Sequence, residues 1–209
     1  MCYKLVMPDR GFPLSPESLL SSVRARRGHF EFESGHHGDF WLDLETLCVR
    51  PAAVRALAAD LAGRLRAYGV DAVCGPLNEG AFIALMVAAE LDCDFTYAER
   101  FPHPTRDTLF PVEYRVPEAQ HALVRAKRVA IVNDVISAGS AVRGAHTNLQ
   151  ALGGQVVAVG SLAVLGTPFV TFARERALPL EALAHFPHNV WTPADCPLCQ
   201  QGMPVEAVG

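Results

Sequence analysis

From Pro51 to Gly166 the apolar residues follow two alternating periods. Val54, Leu57, Leu61, Leu65 and Tyr68 recur at the spacing of one helical face. "DAVCG", ending at Gly75, is a short apolar run that reads as a buried strand, and "AFIALMVAAEL" after it reads as a strongly apolar helix. "DFTYAER" predicts another strand, "VAIVNDVI" a further one, and a helix follows from about residue 140 to residue 152, stopped by Gly153 and Gly154. "QVVAVGSLAVLG" closes the series as a strand. Strand and helix in alternation predict an α/β unit with a parallel sheet. Ligands of such sheets bind beyond the carboxyl ends of the strands. Residues 75–80, 98–100 and 133–141 all follow strand ends and make three candidate loops for one site.

The flanks read differently. Ser15, Pro16 and Glu17 form a helix start: an N-cap, a proline at the first helical position and a carboxylate against the macrodipole. Phe30 and Phe32, then Phe40, Leu42 and Leu44, alternate around a Ser-Gly-His-His-Gly turn and predict two strands. The basic run "RARRGH", Arg24 to His29, reads as the end of a solvated helix. Residues 101–127 carry four prolines and mixed charge, which predicts a long loop or a loose hairpin of the kind that is often functional. After Thr167 the pattern is less regular.

Half of the 209 residues are hydrophobic, which is ordinary globular composition. A net charge of −4 disfavours a nucleic-acid partner. No apolar run reaches the roughly 20 residues of a membrane span. The start has no long apolar core before Pro8 and Asp9, so no secretory signal is expected. Cys2, Cys48, Cys74 and Cys93 stand singly, and a reducing, cytoplasmic setting follows.

Chemistry concentrates in "VAIVNDVISAGSAVRGA", Val129 to Ala145. A strand end, a turn of small residues and a helix start let several backbone N–H groups converge on one anion, with the helix N-terminus adding positive potential. Ser137 and Ser140 add hydroxyls, and Asn133 and Asp134 offer acceptors for sugar hydroxyls. A phosphate beside a polyol acceptor suggests a sugar phosphate.

These residues resemble the signature of the type I phosphoribosyltransferases: an apolar strand, two acids, two apolar residues and a small phosphate-binding loop. "GPLNEG", Gly75 to Gly80, resembles that family's pyrophosphate loop, and "FESGHHGDFWLDL" resembles the hood of the orotate enzymes. "TYAER" stands where that subfamily brings basic residues to the diphosphate. The resemblance implies a central parallel sheet flanked by helices, with a small hood built from both termini. The expected division is residues 1–50 as hood and helix, 51–166 as core with a flexible loop at 101–127, and 167–209 as a tail completing the hood.

The resemblance also implies transfer of ribose 5-phosphate from phosphoribosyl pyrophosphate, with Mg²⁺, to a nucleobase, orotate first among them, by a homodimer. Asp134 with Asn133 would hold the ribose hydroxyls, and Ser137, Ala138, Gly139, Ser140 and Ala141 the 5′-phosphate. Leu77, Asn78, Glu79 and Gly80, with Arg100, would face the diphosphate, and the Leu77–Asn78 peptide is expected to be cis. Phe40 and Trp41 are neighbours on a strand, so one is core and the other is available to stack on a base. Phe40 and His37 are assigned to the base.

The sequence departs from the pattern at Ala130, at Asn133 where the family has an acid, and at Glu79 where the orotate enzymes have a lysine. Residues 101–126 contain no lysine, only arginines and histidines. These departures keep an alternative open, a non-catalytic regulator that binds phosphoribosyl pyrophosphate or a nucleotide. A serine hydrolase using Ser140 lacks the Gly-x-Ser-x-Gly turn. In the tail, Cys196 and Cys199 have the C-x2-C spacing of a metal knuckle, with His185 and His188 as the remaining ligands of a structural Zn²⁺ site. A single such pair is a weak signal, and a metal-free tail packed by Trp191 is the favoured expectation.

Overall fold

A computed structural model describes residues 24–43, 47–102 and 112–208. The expected helix start at Ser15–Glu17, Leu44 and the middle of the 101–127 segment lie outside these residues. Strands β3 (Ala72–Pro76), β4 (Asp94–Pro102), β6 (Arg128–Ile136), β7 (Gln155–Leu165) and β8 (Leu180–Phe186) form a parallel sheet. β5 (Val112–Arg115) joins its edge antiparallel to β4, giving the order β5-β4-β3-β6-β7-β8. The loose hairpin expected for residues 101–127 is this β4–β5 pair.

Helices cross over between parallel strands, as they must where no tight turn can join them. α1 (Pro51–Leu65) precedes β3, α2 (Glu79–Leu91) links β3 to β4, α3 (Ser140–Ala151) links β6 to β7, and α4 (Pro168–Glu175) links β7 to β8. Successive side chains of β6 point to opposite faces and so divide the core in two. Ala130 and Val132 pack with Leu57, Leu61 and Leu65 of α1 and with Ile83 and Val87 of α2. Val129 and Ile131 pack with Val142 and Leu149 of α3 and with Phe169 and Phe172 of α4. A sheet covered on both faces needs near-continuous apolar strands. This accounts for the fully buried run of β3 and for the burial of β6 from Val129 to Val132.

A second sheet stands beside the first. β1 (Arg24–Glu31) and β2 (His37–Asp43) form an antiparallel hairpin. β9 (Val190–Trp191) pairs with β2 and β10 (Glu206–Ala207) with β1, so the C-terminal segment adds an edge on each side.

Two expectations are corrected here. "RARRGH" is strand, not helix end: Arg26 pairs with Trp41 and Arg27 with Phe40, and their guanidinium groups lie over the Phe30 and Phe40 rings. The register shifts between Arg27 and Phe30, and this bulge breaks the two-residue alternation that would have betrayed the strand. The segment after Thr167 is also more regular than its pattern suggests. α4 and β8 have only eight and seven residues, too few for either period to repeat often. The main sheet therefore runs on to Phe186, past the expected boundary at 166, and only the later residues join the hood sheet.

Leu61 is fully buried between α1 and the sheet. Leu61→Ala is expected to cost about 2–5 kcal/mol through lost burial and an incompletely collapsed cavity. A lowered denaturant midpoint at unchanged slope checks it.

Candidate active site

Sheet order places β6 on one side of β3 and β4 on the other, so the chain reverses its winding between β3 and β6. Loops that leave the carboxyl ends of such neighbours in opposite directions open a crevice. A cavity of about 350 Å³ lies there, and it is lined by residues 76–80, Arg100, Tyr114, Asn133, Asp134 and residues 137–142. Phe32, Glu33, Ser34 and Trp41 of the hairpin and Val208 of the C-terminal segment complete its wall. The three loops expected from the strand ends thus meet in one place.

Close approach fixes the two principal loops. At Gly80 a Cβ would lie 2.1 Å from Asn133 Oδ1, so glycine lets the β3 loop sit against this side chain in its present position. The Asn133 amide donates to the Val135 carbonyl at 2.6 Å. A carboxylate at 133 could not make this bond and would set oxygen against oxygen. The Leu77–Asn78 peptide is cis, as expected.

Across the cavity, residues 137–141 turn into α3. Gly139 has φ +81°, and a Cβ there would meet the Phe169 ring at 2.2 Å. No side chain caps α3, so the first amides of the helix keep their unused N–H groups. Arg143 braces the turn by donating to the Ala138 carbonyl at 2.9 Å. The Ser137 hydroxyl is buried without a hydrogen-bond partner among the described residues. Buried polar groups are nearly always paired, and an orphaned hydroxyl beside free helix amides suits an anion.

No family model matches the chain. Curated relatives do. The orotate phosphoribosyltransferase of Thermotoga petrophila is 32% identical over 195 residues, covering 92% of this chain and 96% of that one. The chain belongs to the orotate phosphoribosyltransferase family. The enzyme of the same name from Caldanaerobacter subterraneus subsp. tengcongensis is 26% identical over 183 residues, covering 88% of this chain and 89% of that one. The family's fold is recognisable among solved structures. An orotate phosphoribosyltransferase from Aeropyrum pernix superposes with a TM-score of 0.59 at 21% identity, over 80% of this chain and 92% of its own. An adenine phosphoribosyltransferase from Thermoanaerobacter pseudethanolicus gives 0.62 at 19% identity, over 81% and 99%. The architecture is that of the type I phosphoribosyltransferases, and by family this chain is a glycosyltransferase.

Two expected residues fall elsewhere in this family member. Phe40 is buried against Phe186 and His188 and does not line the cavity. Its neighbour Trp41 lines the cavity and stacks near Phe32, with ring centroids 6.2 Å apart. Alternation along the strand allowed one of the pair inside, and the larger core contact takes Phe40. His37 is buried beside His29, outside the cavity. Arg100 lines the cavity and donates to Glu33 at 3.1 Å. Tyr114 also donates to Glu33, at 2.8 Å, so one carboxylate ties the hairpin to β4 and β5. Burial, followed by the Glu33 charge, pushes the Tyr114 phenol up, which keeps it a donor. Glu33 and Tyr114 stand 81 residues apart, and no local pattern marks their pairing.

Burial pushes the Asp134 carboxyl up from 3.8 to about 6, with the Glu79 charge adding to the rise. A carboxyl whose folded value is raised keeps its proton after the unfolded chain has lost its own. The ligand-free fold therefore loses stability as pH climbs through that interval, and the loss is constant above it. Asp134→Asn removes the penalty. At pH 8 the variant is expected to be more stable than the parent by up to about 3 kcal/mol, with no difference below both values. Chemical denaturation across pH checks both ends.

Proposed function

We propose that this chain transfers the 5-phosphoribosyl group of phosphoribosyl pyrophosphate to orotate. A ring nitrogen of the base forms the new bond to C1 of the ribose as the C1–O bond to diphosphate breaks. The observation that carries this reading is the orphaned Ser137 hydroxyl in a turn of free amides, directly beside Asn133 and Asp134 and facing the loop of residues 77–80. Residues 137–141 bind the 5′-phosphate, and Asp134 accepts from the ribose hydroxyls. Asn133 keeps the two loops in register through Gly80. Leu77, Asn78, Glu79, Gly80 and Arg100 surround the diphosphate. The base stacks on the Phe32–Trp41 side, in place of Phe40 and His37. The rate then comes mainly from positioning and from charge stabilisation of an oxocarbenium-like state.

Mg²⁺ fits the donor set. Glu79 raises the proton affinity of Asp134, and a divalent cation near this like-charged pair relieves the repulsion. When bound, the ion would supply charge neutralisation to the diphosphate, with Glu79 and Asp134 as the nearby carboxylates and the donor's own oxygens and waters as its main ligands. Glu79, which stands where the orotate enzymes have lysine, is then an aid to the cation rather than an obstacle to the anion.

A homodimer is supported by an apolar groove at the start of α1 and along α2. Val49, Phe82 and Leu85 are 72%, 51% and 52% exposed there, beside Cys48, Pro51 and Met86. Contiguous apolar surface of this kind marks an interface. A cytoplasmic location accords with the free thiols of Cys48, Cys74 and Cys93. No helix among the described residues is long and apolar enough to cross a membrane.

Two measurements test the reading. With Mg²⁺ and the donor, diphosphate release is expected with orotate, and Ser137→Ala is expected to raise the donor's KM about tenfold, the worth of one bond to a charged group. Tight donor binding without diphosphate release on any nucleobase would instead support the regulatory alternative. In light scattering, Leu85→Glu is expected to halve the molar mass of the parent; a monomeric parent removes the dimer.

A further inference from the structure

Outside the cavity, four ligand-type side chains converge between the hairpin and the C-terminal segment. His29 from β1, His37 from β2, Cys196 at the N-cap of the helical turn Pro197–Gln200 and Cys199 within that turn place one donor atom each within 4.8 Å of all the others. We propose that these four residues bind one structural zinc ion that fastens the C-terminal segment to the β1–β2 hairpin.

The spacing of the atoms is the first argument. Zinc bonds of about 2.0–2.1 Å to nitrogen and 2.3 Å to sulfur, arranged tetrahedrally, put the nitrogens about 3.3 Å apart and each nitrogen about 3.5 Å from each sulfur. His29 Nε2 lies 3.0 Å from His37 Nδ1, 3.4 Å from Cys196 Sγ and 3.7 Å from Cys199 Sγ. Cys199 Sγ lies 3.2 Å from His37 Nδ1. These are four of the six edges of such a tetrahedron, and the remaining two, from Cys196 Sγ to His37 and to Cys199, are within 4.8 Å.

The second argument is proton accounting. His29 Nδ1 lies 2.9 Å from the Met203 carbonyl, which can only accept, so in the neutral ring this nitrogen carries the proton and Nε2 the lone pair. That single lone pair faces three heavy atoms, and it cannot accept a hydrogen bond from all of them. A cation at the centre satisfies it together with the two sulfurs and His37 Nδ1. The carbonyl behind the ring is also the usual partner that orients a metal-bound histidine. Charge closes the argument: two thiolates and two neutral imidazoles balance Zn²⁺, which suits a site where His29, His37 and Cys196 are buried.

The site replaces the ligand set expected from sequence. His188 is engaged elsewhere, with Nδ1 on Asp39 at 2.9 Å, and His185 is exposed on β8. The C-x2-C pair reaches back more than 150 residues to the hairpin rather than to its neighbouring histidines. Beyond Cys199 the chain forms β10 against β1 and brings Val208 to the cavity wall. The ion would thereby hold part of that wall without touching substrate.

Metal content is a readout independent of the transferase reading. Untagged protein purified under reducing conditions without added metal is expected to contain about one zinc per chain by elemental analysis. Cobalt-loaded protein should show thiolate-to-cobalt charge transfer and tetrahedral ligand-field bands. Cys199→Ser and His37→Gln should lower zinc at least fivefold, whereas His185→Gln and Cys93→Ser should retain it. Near-zero zinc in the parent together with no tetrahedral cobalt spectrum would overturn the site, and so would full retention in Cys199→Ser. A Cys196–Cys199 disulfide in the mass of reduced, freshly purified protein would overturn it as well. If a variant fails to fold, the parent's zinc content and cobalt spectrum still decide.

Discussion

The contact between Gly80 and the Asn133 side chain sets the geometry on which the rest of the cavity depends. It joins the β3 loop to the β6 loop where the parallel sheet reverses its winding. A Cβ at position 80 would displace the Asn133 side-chain oxygen, and any side chain at 133 that cannot donate to Val135 would lose the bond that holds it in place. Asp134 and Glu79 line the same cavity, where the Glu79 charge acts on Asp134, and the small-residue turn lines it too. Charge repulsion and unmet hydrogen bonding are both built in before a ligand arrives. Such a site is costly when empty and is relieved by a phosphorylated sugar with its cation.

The hood is tied to this core by few but long-range links. Glu33 gathers Arg100 and Tyr114, so the hairpin turn is bonded to the β4–β5 edge. Asp39 takes His188 and Asn189, pinning β2 to the segment after β8. The His29–His37–Cys196–Cys199 cluster joins the same hairpin to the C-terminal segment. The C-terminal segment is therefore part of the hood's framework, although most of its length before Phe186 belongs to the main sheet.

The core was legible because burial on both faces of a parallel sheet forces long apolar runs, and the helices are long enough for their period to repeat. The phosphate turn and the β3 loop were legible because backbone approach demands small residues in a fixed order. What stayed hidden depended on contacts distant in sequence. The bulge between Arg27 and Phe30 erased the alternation of β1. Which of Phe40 and Trp41 faces the cavity was decided by Phe186 and His188, about 146 residues away. Spacing within the tail suggested His185 and His188 as partners of the cysteines, but distance in space brings His29 and His37 instead.

The central claim is that the β6 turn binds a sugar phosphate with its sugar against Asp134. Diffraction from crystals grown with Mg²⁺ and ribose 5-phosphate tests it most directly. The account predicts phosphate density within hydrogen-bond distance of Ser137 Oγ and the first amides of α3, with ribose hydroxyls on Asp134. Phosphate seated elsewhere in the cavity, with the Ser137 hydroxyl still unpartnered, would contradict it.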